Sequence, residues 1–231
     1  VSAAGVCGSL LQYQEMSQRI EDNLILLEQP GYCMPANHQT VLLASNNHGR
    51  KWYLPSQSEI AQEVFVNGRD ESDIWSPPEK NLEYLSQFFE RVGVVEGNSQ
   101  GIMLAKRRLS RGLAVIVLYQ DLLADLDHPD GYLSNGDQGH YAFMTAVDLQ
   151  RGLITIADPS RLIPGNERYF DESGVVLAGP YTGQAGYHPE LKKVYQMRIH
   201  DFLPHWYDQR VPPQPGRYEQ TFIWVDLASR R

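Results

Sequence analysis

Cys33 stands in the segment Gln29-Pro-Gly-Tyr-Cys-Met-Pro-Ala-Asn-His38 and is one of only two cysteines among 231 residues. A thiol attacks as its thiolate, a form that a helix N-terminus and a neighbouring imidazole both stabilise. The residues from Met34 to Ser45, with Pro35 near their start and the apolar run TVLLAS, predict a buried helix that opens at the cysteine. The imidazole must come from elsewhere, because a nucleophilic cysteine and its histidine are neighbours in space and not along the chain. Of the seven histidines, His140 is the best placed. It follows Asp-Gln-Gly and opens the strand HYAFMTAVD, which sets the ring at a sheet edge beside a long loop.

A base of this kind needs a group to fix its tautomer and stabilise its charged form, and a carboxylate does both. A hairpin centred near Gln150 pairs position 158 with 142, so that Asp158 and His140 share a face as diagonal neighbours about 7–8 Å apart at Cα. A slip of one residue would turn Asp158 to the other face. Attack on an amide or ester carbonyl also builds an oxyanion. The Gln29 side chain and the Cys33 backbone N–H are placed to donate to it, each such donor being worth about 10²–10³ in rate.

Taken singly, each of these residues has a plainer reading. A lone buried cysteine is a small hydrophobe. A strand-end histidine is commonly just hydrogen-bonded, Asp158 before Pro159 can start a turn, and Gln29 beside Pro30-Gly31 can belong to one. The chemical reading rests on their joint occurrence. His38 reads as an ordinary polar position of the Cys33 helix, Trp206 as a core anchor, and the basic run Lys106 to Arg111 as the wet side of a helix. His128, His188, His200 and His205 have no metal-binding spacing, so no metal and no cofactor are expected.

The bulk properties agree with a folded domain that binds something small or peptidic. A chain of this length with 42% hydrophobic residues buries roughly 70% of its unfolded surface and needs no disulfide framework. Cys7 lies in a Ser/Ala/Gly-rich start that is expected to be poorly ordered, leaving Cys33 free. A net charge of -8 disfavours nucleic acid and anionic membrane as partners. The longest apolar run, Leu113 to Tyr119, is too short to span a bilayer. The chain begins with Val, as a processed or trimmed product would, so the compartment, cytoplasmic or secreted, is left open.

The elements that must position the site fall into two groups. Ser56 to Glu59 and Ser76 to Glu79 both carry the capping-box pattern, and each predicts a helix. The second helix is expected to run through NLEYLSQFFERVG to a stop at Gly93, and a further one from about Gln100 to Ser110. The period then changes. LAVIVLY, the HYAFMTAVDL–LITIAD hairpin, KVYQMRI and EQTFIWVDL read as strands, separated by long loops at Gln120 to Gly139 and Pro159 to Glu190. Helices followed by mainly antiparallel strands give an α+β fold, with the first long loop expected to border a cleft.

The order of Gln29, Cys33 with its helix, GHYAFMTAVD and ITIADPS resembles the papain-like cysteine peptidases. Within them it is similar to the peptidase domains that process double-glycine bacteriocin leaders and to their stand-alone bacterial relatives. LPSQSEIAQEV, NLEYLSQFF, GLAVIVLY and MRIHDFLPHW extend the likeness over about Leu24 to Asp208. The resemblance implies one two-lobed domain, a helical lobe over about 10–112 packed on a sheet lobe over about 113–231. It implies Cys33 as nucleophile, His140 as base and acid, Asp158 as orienter, Gln29 in the oxyanion hole and a peptide or protein as substrate. Phytochelatin-synthase-like enzymes share the order and use it for peptidyl transfer. Met34 stands where most relatives have Gly, Asn37 and His38 replace small residues, and the Gln29 to Cys33 interval is short for the family.

Overall fold

The computed structural model describes residues 3–26, 32–45, 53–65, 76–96, 99–121, 138–159, 175–176, 194–206 and 219–230. Its first element corrects the expectation of a disordered start, because α1 (Ala3–Asp22) is a helix of 20 residues. Tyr13, Met16 and Ile20 recur at helical spacing and pack into the core, so tertiary burial orders a segment whose composition alone does not.

Helix α2 (Cys33–Ala44) begins at the cysteine, and nearly every residue along it is buried. Four of those are polar, Asn37 to Thr40, and each finds a partner. Burial of polar groups is tolerable on such terms. The next helix, α3 (Gln57–Val64), is opened by the capping box read from the sequence, with Ser56 Oγ accepting from the Glu59 amide and Glu59 accepting from the Ser56 amide.

The second capping box does not form. Helix α4 (Pro78–Ser86) has Pro77 at its N-cap, and Ser76 Oγ donates to Asn81 Oδ1 at 2.9 Å in place of capping the backbone. The helix also ends at Ser86, well short of Gly93. Phe89 instead bridges to Arg230, and Val92–Val95 forms strand β1, which pairs with a strand from the far end of the chain. Gly93 lies directly opposite Trp224, whose indole approaches to 2.7 Å of where a Cβ would be. The glycine is therefore a seat for a tryptophan and not a helix stop.

Helix α5 (Gly101–Leu109) is followed by Gly112 at φ 71, a left-handed turn that leads into strand β2 (Ala114–Asp121). Strands β3 (Gln138–Asp148) and β4 (Leu153–Ala157) form the expected hairpin, with Gly152 at φ 67 in the turn. The short β5 (Val175–Val176) falls inside a stretch read as loop. Strands β6 (Val194–Arg198) and β7 (Phe222–Val225) complete the set, with helix α6 (Ile199–Phe202) between them. Among the described residues the sheet has seven strands in the order β1-β7-β2-β3-β4-β6-β5, antiparallel except for the β5–β6 pair. The class is α+β, helices preceding most of an antiparallel sheet. Helix α2 packs on β3, the central strand, and this contact brings the cysteine to the sheet.

Candidate active site

Cys33 is the first residue of α2, where the backbone N–H groups have no intrahelical acceptor. Tyr32 occupies the N-cap and gives the helix no side-chain hydrogen bond. The partial positive charge of the helix end is therefore not met by the N-cap side chain and lies beside the sulfur. Cys33 is a free thiol, buried but with 7% of its surface still open.

Four adjacent strands place side chains in a row across one face of the sheet. Tyr119 on β2 lies directly opposite His140 on β3, and Tyr195 on β6 lies opposite Ile156 on β4, two residues before Asp158. Opposed residues and alternate residues of a strand share a face, which puts Tyr119, His140, Asp158 and Tyr195 together. At this end of the hairpin the β3–β4 register is the one expected from the sequence, but it is reached through a bulge. Near the turn, Asp148 pairs with Leu153 and Ala146 with Thr155, and that ladder continued unbroken would set Asp158 against Phe143, on the face away from His140. Thr145 is an extra residue, a β-bulge, beyond which Met144 pairs with Ile156 and Phe143 with Ala157. The next position then sets Asp158 against Ala142, on the His140 side.

The resulting contacts are close. His140 Nε2–H donates to Asp158 Oδ1 at 2.8 Å, and the carboxylate is completely buried. Asp158 Oδ2 accepts from the Tyr119 hydroxyl at 2.9 Å and from the Tyr195 hydroxyl at 3.2 Å. The Tyr119 ring also meets the imidazole edge to face, with centroids 5.3 Å apart. The Cys33 sulfur stands beside the same imidazole, close enough to act on its charge. With Nε2 taken by the carboxylate, Nδ1 is the ring nitrogen left for the sulfur. Burial by itself opposes a charge on His140, yet the Asp158 carboxylate and the Cys33 sulfur beside it hold its pKa well above the ordinary histidine value.

One turn below Cys33, Asn37 Nδ2 donates to the backbone carbonyl of Tyr141 at 2.8 Å. This bond ties the cysteine helix to the residue after His140. His38, read from the sequence as an ordinary polar position of the helix, has no exposed surface. Its Nε2–H donates to Asn81 Oδ1 at 2.9 Å, and Asn81 is oriented in turn by its donations to the Ser76 and Pro77 carbonyls. Gln29 and residues 122–137 of the loop expected to border the cleft lie outside the described residues, while Gln120, Asp121, Gln138 and Gly139, read as its ends, belong to strands β2 and β3. Among the described residues no group of three or more His, Cys, Asp or Glu is arranged to hold a metal, and no helix is long and apolar enough to cross a membrane. His200 is exposed beside Asp201, and Trp206 is fully buried.

Sequence reasoning missed Tyr119, Tyr195 and the role of Asn37. The tyrosines carried a signal, since both sit at inward positions of strands that the sequence identified. What was lacking was the register between those strands.

No protein-family model and no curated protein matches the chain. Among solved structures, a protein of Bacillus anthracis named as a C39-like peptidase is similar at 11% identity, with a TM-score of 0.46 over 89% of this chain and 95% of that one. At that score the two chains superpose only loosely, and the chemistry below rests on this chain's own side chains.

Proposed function

We propose that the chain is a thiol-dependent amide-bond hydrolase of the papain-like cysteine peptidase kind, a single domain acting on a peptide or peptide-like substrate. The observation that carries this reading is the meeting of three groups distant in sequence. They are a thiol at a helix N-terminus whose N-cap residue makes no side-chain hydrogen bond, an imidazole beside it, and a fully buried carboxylate on that imidazole's Nε2. A buried free cysteine of purely structural role has no need of such partners.

In the proposed reaction His140 Nδ1 takes the Cys33 proton, and the electron pair left on sulfur attacks the substrate carbonyl carbon. The carbonyl electrons move to oxygen, where the Cys33 backbone N–H, and Gln29 as read from the sequence, donate hydrogen bonds. Collapse breaks the C–N bond while His140 returns its proton to the leaving amine. Water, giving a proton to His140, then attacks the thioester, and the acid is released as sulfur regains its proton. Asp158 keeps the ring in the tautomer with hydrogen on Nε2 and opposes its positive charge throughout.

The test uses an electrophilic thiol probe and a peptide library with wild type, Cys33→Ala and His140→Ala. Labelling and cleavage to a free carboxylic acid by wild type alone support the hydrolase. A wild-type protein that binds peptide but neither labels nor cleaves overturns it in favour of a peptide-binding role. Conjugates formed on adding amine or thiol acceptors would reassign the same three residues to acyl transfer.

A further inference from the structure

A buried carboxylate needs more than one partner. Asp158 has no exposed surface, and its two oxygens are divided between different tasks. Oδ1 receives the His140 proton donor, and Oδ2 receives two phenolic hydroxyls from strands on either side, Tyr119 of β2 and Tyr195 of β6. Asp158 lies just past the end of β4, and these side-chain bonds help to hold its carboxylate toward His140. Tyr119 is further braced edge to face by Phe202 at 5.6 Å between centroids, which leaves its hydroxyl little freedom.

We propose that Tyr119 and Tyr195 are positioning residues of the site, which act through Asp158 by clamping its far oxygen and sharing its charge. The inference rests on the reading of His140 as the base. Hydroxyl donors at Oδ2 draw negative charge away from Oδ1 and stabilise the carboxylate when the imidazole is neutral. Without them, loss of the His140 proton would leave a buried carboxylate with fewer compensating bonds, so the imidazolium would keep its proton to higher pH. A site clamped in this way releases the proton more readily to a leaving amine, as a general acid must.

The experiment needs no knowledge of the substrate. Ring-¹⁵N titration of His140 and the pH dependence of Cys33 alkylation by iodoacetamide are measured on the whole chain for wild type, Tyr119→Phe and Tyr195→Phe. Tyr141→Phe serves as the control, since it loses a buried hydroxyl bond of the same kind, to the Ser76 carbonyl, from the strand position that alternates away from His140. The expected result is an upward shift of the His140 titration by about half a pH unit in Tyr119→Phe, less in Tyr195→Phe with its longer bond, and none in Tyr141→Phe. An unchanged titration in both tyrosine variants overturns the clamp, as does an equal shift in the control. A wild-type His140 that titrates as an ordinary histidine, with Cys33 alkylated no faster than a free thiol, overturns the reading of the base itself. If Tyr119→Phe does not fold, Tyr195→Phe carries the same test alone.

Discussion

Asn37 is the residue through which the two halves of the site hold one another in place. It lies one helical turn from Cys33, and its amide donates to the carbonyl of the residue after His140. Its own Oδ1 is buried without a hydrogen-bond partner among the described residues, so the side chain is retained at some cost for the bond its nitrogen makes. Asn37→Ala should lower stability by about 1–3 kcal/mol by removing a buried hydrogen bond to the Tyr141 carbonyl. Asn37→Asp should cost more, because it turns a carboxylate oxygen toward that carbonyl in a site with no exposed surface. Urea denaturation of the two variants checks both the size and the order. The sequence raised Asn37 only as a departure from the small residues usual in such helices, and the carbonyl it binds is 104 residues away.

At the scale of elements, the hairpin of β3 and β4 is the part on which the proposed triad depends most. The bulge at Thr145 sets the phase of everything beyond it. Helix α1 holds the bulge at two points, with Ser17 Oγ donating to the Thr145 carbonyl at 2.7 Å and Thr145 Oγ1 donating to Glu21 Oε1 at 2.9 Å. Ser17 and Glu21 are four apart and so share a helix face. A helix absent from the sequence reading thus secures a bulge that was also absent from it. Inserting one alanine between Ala157 and Asp158 should carry the carboxylate to the opposite face while leaving the paired strand intact. The expected outcome is a folded protein by circular dichroism whose Cys33 reactivity falls as far as in Asp158→Ala. Retained reactivity would show that another group supports His140.

Across the whole molecule, two buried histidines give stability opposite slopes with pH. His38 has its pKa lowered from 6.5 to about 4, by burial against a smaller opposing effect of its bond to Asn81, and its Nδ1 has no hydrogen-bond partner among the described residues. Between those values the unfolded chain binds a proton that the folded chain refuses. The His38 contribution is therefore complete above pH 6.5 and is lost as pH falls toward 4, by about 3 kcal/mol. His140 runs the other way. Its folded pKa is raised, so its contribution is complete below the unfolded value and is lost as pH rises through the folded one. His38→Gln keeps an amide donor for Asn81 and removes the titrating group. Urea midpoints taken from pH 6.5 down to pH 4 should show wild type losing stability more steeply than this variant, and parallel curves would exclude His38 as the cause.

Local rules made much of the architecture legible. The capping box at Ser56 and Glu59, the helix opening at Cys33, the alternation in Val194–Arg198 and the apolar run into β2 each express a preference contained in a few neighbouring residues. Where local and distant demands competed, the distant ones decided. Val92–Val95 became a strand because β7 offered it a ladder, and Ser76 gave its hydroxyl to Asn81 in place of a helix end. The sequence by itself determined which residue types were available for chemistry, and it singled out Cys33, His140 and Asp158. Only tertiary structure decided that they meet, that two tyrosines join them, and which face of β4 the carboxylate occupies. The physical reason is that strand register and helix docking are fixed by contacts between residues far apart in the chain, and a one-residue bulge reverses a face without altering any local preference.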